Sequence, residues 1–167
     1  MYHFFWETKS PFSQWHPAQY TVNGIIFNCS EQGMMYEKAI LFKDFDIAER
    51  ILKTSDPKKI KEFGRKVKNF DYKKWDDNKQ KIVFTHNFAK FSQNQNLKDA
   101  LFNTGNKILV EASPYDKIWG IGLRKTDPLA QNKTTWKGLN LLGYIITDVR
   151  DKLFSLNNSK ADCFCNY

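Results

Sequence analysis

Ser30-Glu31-Gln32-Gly33-Met34-Met35-Tyr36-Glu37-Lys38-Ala39-Ile40-Leu41-Phe42 is the stretch that decides the reading of this chain. Ser30 reads as a helix cap, its hydroxyl accepting from a backbone N–H, with Glu31 at the positive end of the helix. Seven residues make two nearly complete turns, so Glu31 and Lys38 share one stripe, roughly 10 Å apart along the axis. Met34, Met35, Leu41 and Phe42 flank them. A lysine on such a face is unusual, because burying an unpaired ammonium is costly. Two readings follow. Either Lys38 snorkels to water, or it is desolvated, with a depressed pKa that suits a nucleophile able to form a Schiff base with a sugar aldehyde.

The pattern on either side points to a mostly helical α+β fold. Upstream, His3 to Trp6 reads as a short aromatic strand, and Tyr20 to Phe27 as a hairpin turning at Asn23-Gly24. Downstream, a short helix is expected around Ile47 to Leu52. Another begins at Asp56-Pro57 and stops at Gly64. A long helix is expected from Trp75 to Phe91, and a further one is capped by Asn96 and ends at Thr104-Gly105. Ile108-Leu109-Val110 is a strand, and residues 120–137 read as loop. Leu141, Leu142, Ile145, Ile146, Val149 and Leu153 form the core stripe of a last helix from Asn140 to Leu153. The strands and helices alternate too irregularly for a doubly wound sheet. The expectation is one domain over residues 1–153 with a small β-sheet, and a polar, frayed tail over 154–167.

A second segment carries chemistry: Glu111-Ala112-Ser113-Pro114-Tyr115-Asp116-Lys117-Ile118-Trp119-Gly120-Ile121-Gly122. It puts acids, a phenol and an indole in a loop after a strand. Aromatic faces stack bases, and a carboxylate binds ribose hydroxyls or steadies an oxocarbenium-like centre. The plainer alternative has Trp119 in the core and Asp116 holding a turn. Gly120-x-Gly122 is too short for a dinucleotide fingerprint and suits a tight turn. Arg65 is a candidate phosphate clamp or a surface residue. Trp75 is a stacking surface or a core anchor. His3, His16 and His86 share no metal spacing, and no nucleophile elbow or Ser/His/Asp set is present.

The chain of 167 residues carries a formal charge of +8. That favours anionic partners such as phosphates, nucleotides or nucleic acid, although only Arg50, Arg65, Arg124 and Arg150 are arginines. Three cysteines, Cys29, Cys163 and Cys165, do not build a disulfide framework, and the C-x-C pair has no metal-ligand partners nearby. No apolar run spans a bilayer and the N-terminus has no apolar leader segment. The expectation is a soluble protein of the reducing cytoplasm without membrane partners.

Several blocks, taken in order, carry a resemblance. They are Phe12-Ser13-Gln14-Trp15; Asn23-Gly24 through Ser30-Glu31-Gln32 to Lys38-Ala39; Asp56-Pro57 with Gly64-Arg65; Trp75-Asp76; and Ala89-Lys90-Phe91-Ser92-Gln93-Asn94. Thr104-Gly105, the Leu109 to Gly122 segment, and Trp136-x-Gly138-x-Asn140-Leu141-Leu142-Gly143 complete them. From about Phe4 to Leu153 the chain resembles the NADAR family, the riboflavin-intermediate N-glycosidases of the YbiA type. Trp15 and Gln32 depart from the usual residues of their blocks, and residues 123–135 align poorly. The resemblance implies hydrolysis of a ribosyl C1′–N bond, without metal or other cofactor. The substrate is either a phosphorylated ribosylamino-pyrimidine of riboflavin synthesis or ADP-ribosylated guanine in nucleic acid. It marks Glu31, Lys38 and Asp116 as catalytic candidates. Trp15, Arg65, Trp75, Tyr115, Trp119, Gly120 and Asn140 are candidates for binding substrate, with Asn140 donating to ligand oxygens. A non-catalytic ADP-ribose or nucleotide-binding module is the remaining alternative.

Overall fold

A computed structural model describes the backbone of residues 1–164 and the side chains of residues 1–159. The elements are β1 (Tyr2–Phe5), β2 (Tyr20–Val22), β3 (Ile25–Phe27), α1 (Ser30–Leu41), α2 (Phe45–Leu52), α3 (Pro57–Arg65), α4 (Tyr72–Gln93), α5 (Gln95–Phe102), β4 (Ile108–Glu111) and α6 (Leu141–Phe164). Two short 3-10 turns, Pro128–Gln131 and Lys133–Thr135, interrupt the long loop before α6. The fold is α+β and mostly helical. Its strands form two separate two-stranded sheets. The chain divides into two compact units, Glu7–Asn94 and Met1–Trp6 with the chain from Gln95 onward.

In the Glu7–Asn94 unit the hairpin forms where it is expected, with Asn23 and Gly24 both at positive φ. Helix α1 packs against α2, α3 and α4. Its start differs from expectation. Cys29 occupies the cap position without a side-chain cap bond, and Ser30 is the first helical residue. The Ser30 hydroxyl instead donates to Asn87 Oδ1 at 3.5 Å. The other caps are aspartates: Asp44 for α2, Asp56 for α3 and Asp71 for α4. Asp71 explains why α4 begins three residues before Trp75, since an aspartate that bonds the Lys74 N–H opens a helix better than an indole does. Gly64 does not stop α3. It lies within the helix, where a side chain would collide with Met35 of α1.

In the other unit β1 and β4 run parallel, with Tyr2 opposite Ile108 and Phe5 opposite Glu111. Both strands therefore end on the same side, where Trp6 and the loop from Ala112 leave the sheet. Asn96 sits inside the first turn of α5 rather than capping it. Helix α6 covers β4 with Leu142, Ile146 and Val149, and Thr147 Oγ1 accepts the Leu109 N–H at 3.1 Å. The helix runs past Leu153 to Phe164, so backbone expected to fray after Phe154 is helical. The Cys163-x-Cys165 pair lies outside the residues whose side chains are described. Among the described residues no helix is long and apolar enough to cross a membrane.

Candidate active site

The Glu7–Asn94 unit holds the acid and the amine. Glu31 is buried in the first turn of α1, and its backbone N–H donates to Gln14 O at 2.9 Å. Two turns on, Lys38 is half-buried. Its Nζ donates to Gly64 O at 2.8 Å, lies 4.4 Å from the Phe70 ring centroid, and lies 5.5 Å from that of Trp75. Three chain segments thus close around one ammonium. Burial lowers its pKa, and the Glu31 carboxylate raises it in part. Lys38 therefore follows the desolvated reading more closely than the snorkelling one. The aromatic faces supply cation–π attraction in place of some lost water. Trp75 is a wall of this box rather than a core anchor.

The frame behind Glu31 is built from residues that sequence reasoning passed over. Asn87 Nδ2 donates to Gln14 Oε1 at 2.9 Å and to Val83 O at 2.8 Å. Lys90 is wholly buried, and its Nζ donates to Pro11 O at 2.7 Å and Ser13 O at 3.0 Å. It pins the turn that presents Gln14 to α1. Burial pushes this ammonium down to about 7. His86, on the same face of α4, bonds Tyr20 OH at 3.0 Å and fills the notch left by Gly33. The available signal was three polar residues, His86, Asn87 and Lys90, at i, i+1 and i+4 of one helix. Gln32 supports the neighbouring backbone. It accepts the Asn28 N–H at 2.7 Å and donates to Ile51 O and Thr54 O. Cys29 is a buried thiol whose pKa is raised by burial.

The binding candidates of this unit are more open. Trp15 is half-buried, with Lys61 Nζ 5.9 Å from its ring, and Arg65 is exposed at the end of α3. Residues 58–75 contain eight lysines and arginines against two acids. Most of the chain's excess charge therefore lies on the segment that supplies Gly64, Phe70 and Trp75 to Lys38. Tyr72, in the same run, is 66% exposed.

The second unit carries the Glu111–Gly122 loop. Asp116 Oδ1 accepts the N–H groups of Ile118 at 2.9 Å and Trp119 at 2.8 Å, so this carboxylate does hold a turn. The turn uses Oδ1, and its second oxygen takes no part in it. Trp119 is half-buried rather than a core residue. Gly120 is required by close approach, since a Cβ there would press on the Glu111 and Asp116 carbonyls. Asn140 differs from the expected ligand donor. It is fully buried at φ +54°, its Oδ1 accepts the Glu111 N–H at 2.9 Å, and its Nδ2 donates to Leu109 O at 3.0 Å. It clamps the end of β4, from which the loop departs. Tyr115 stands 81% exposed.

The NADAR domain model matches residues 4–154. The chain belongs to the NADAR family. An N-glycosidase of Acanthamoeba polyphaga mimivirus is 44% identical over 146 residues, covering 84% of this chain and 86% of that protein. The irg-1 protein of Caenorhabditis elegans is 43% identical over 138 residues, covering 81% of this chain, which spans 65% of that protein's length. The chloroplastic riboflavin biosynthesis protein PYRR of Arabidopsis thaliana is 28% identical over 128 residues, 72% of this chain and 19% of that one. The NMR structure of E. coli YbiA superposes with a TM-score of 0.76 at 26% identity, covering 93% of this chain and 86% of that one. The mimivirus relative and relatives from Nostoc punctiforme and Shigella flexneri are named N-glycosidases, and these names support glycosidase activity for the chain.

Proposed function

We propose that this NADAR protein hydrolyses the ribosyl C1′–N bond of a phosphorylated ribosylamino-pyrimidine, an intermediate of the riboflavin-pathway type. The observation that carries the reading is the pairing of buried Glu31 with Lys38, whose amine is held between Phe70 and Trp75 with a lowered pKa. The riboflavin-pathway name of the plant relative supports the choice of substrate.

The chemistry balances in two steps. Glu31 passes a proton to the ribosyl ring oxygen, the ring opens, and the neutral Lys38 amine adds at C1′. The C1′–N bond to the pyrimidine then breaks, the leaving nitrogen takes the proton that Lys38 gives up after adding, and an imine joins Lys38 to the sugar. Water adds to that imine and releases the open sugar, and Lys38 hands its extra proton back to Glu31, which restores the acid and the neutral amine. Arg65 and the lysines of residues 58–75 suit the phosphate, and Trp75 and Trp15 suit ring stacking.

The test is hydrolysis of a ribosylamino-pyrimidine phosphate by wild type, Glu31→Gln and Lys38→Ala, with borohydride added during turnover. The expected result is a rate loss of at least roughly 100-fold in both variants, and a reduced sugar adduct on Lys38 in the wild type. Full turnover by either variant rejects the assignment. The basic, aromatic-bearing run of residues 58–75 favours a second reading, removal of ADP-ribose from guanine in nucleic acid. Its mark is a steep loss of rate with added salt on an oligonucleotide substrate. Binding without release of base from either substrate would make the chain a binding module.

A further inference from the structure

The strands β1 and β4 end side by side, and each is followed at once by an aromatic residue or an aromatic-bearing loop. Trp6 leaves β1, Tyr115 lies in the loop after β4, and Arg124 follows the Gly122 turn. The three meet. The Tyr115 and Trp6 ring centroids are 6.2 Å apart at 54°, and the Arg124 guanidinium carbon lies 5.5 Å from the Trp6 ring centroid. Arg124 Nη2 also donates to Tyr115 OH at 3.4 Å. Arg124 is exposed, and among the described residues no ion pair takes it.

Packing alone does not account for this group. A core-filling tyrosine would be covered, yet Tyr115 is 81% exposed, beside a loop held by Asp116 and Asn140. An arginine placed over an indole keeps its N–H edge available, in a geometry that matches phosphate oxygens two at a time. An exposed phenol ring offers a face on which any planar base can stack.

We propose that Trp6, Tyr115 and Arg124 form a nucleotide subsite, with the base on the Tyr115 ring and a phosphate on Arg124. The inference rests on the reading that this chain acts on phosphorylated ring compounds.

The experiment is calorimetric titration of the whole chain with AMP, adenosine and ribose 5-phosphate. Wild type should bind AMP more tightly than either fragment. Tyr115→Ala and Arg124→Ala should each weaken AMP by roughly tenfold or more, while Tyr115→Phe, which keeps the ring, stays close to wild type. Failure to bind AMP, equal binding of AMP and ribose 5-phosphate, or AMP affinity untouched by both alanine variants would overturn the subsite. Catalysis is read separately. A chain that binds AMP through these residues but hydrolyses nothing refutes the glycosidase substrate reading alone. An active chain whose AMP affinity ignores them refutes the subsite alone.

Discussion

Lys90 should make this protein more stable as the solution becomes more alkaline, and replacing it with methionine should remove that trend. The ammonium is fully buried and bonded to two carbonyls, and burial pushes its pKa from the ordinary 10.5 to about 7. Between those values the unfolded chain keeps a proton that the folded chain has lost. Stability therefore rises with pH, by at most about 1.4 kcal/mol per unit. Below about pH 7 the cost of burying the charge is present in full, and above the ordinary value it has vanished. Integrated between pH 7 and pH 9, the gain is about 2 kcal/mol. Lys90→Met strands the Pro11 and Ser13 carbonyls, but that loss is the same at both pH values and cancels when each protein is compared with itself. Cys29, whose raised pKa opposes the trend and responds to the Lys90 charge, is replaced by alanine in both proteins so that only position 90 differs. Urea denaturation of both proteins at pH 7 and pH 9, followed by tryptophan fluorescence, reads the double difference. Parallel curves, equal within the error of the linear extrapolation, would refute a titrating Lys90.

Asn140→Ala should cost roughly 1–3 kcal/mol in urea denaturation, because the Glu111 N–H and the Leu109 carbonyl lose their buried partner. Gly33→Ala should lower stability by roughly 1–3 kcal/mol, since its methyl would push into the His86 ring; thermal melting of the variant checks this. Asp116→Asn should keep the turn through its amide oxygen while removing the charge. Lost turnover with an unchanged melting temperature would assign the carboxylate a chemical role, and unchanged turnover would leave it only the turn. Finally, kcat/KM should climb with pH as Lys38 becomes neutral, with a midpoint below the ordinary lysine value because burial dominates its shift. A flat profile through that range would exclude a neutral-amine nucleophile.

Much of the local structure was legible in the chain. The hairpin at Asn23-Gly24, the strand at Ile108 to Val110 and the helix carrying Glu31 and Lys38 follow from turn chemistry and periodicity, which act over a few residues. Helix starts were read less well where a neighbour outbid the obvious cap. Ser30 gives its hydroxyl to Asn87, and Asp71 rather than Trp75 opens α4. Gly64 reads as a stop, but Met35 needs the space that it leaves inside α3.

The sequence by itself determined a mostly helical α+β NADAR chain, with an acid and an amine two turns apart and an aromatic, acidic loop after a strand. Spacing along a helix or through a turn is a local property, and ordered motifs survive in one dimension. Only the tertiary structure decided what those groups experience. It took Gly64, Phe70 and Trp75, distant from Lys38 along the chain, to desolvate that amine. It took Lys90 to fasten the turn behind Glu31, and β4 to convert Asn140 from a ligand donor into a backbone clamp. Burial and partner choice depend on which segments the core brings together, and no window of neighbouring residues encodes that.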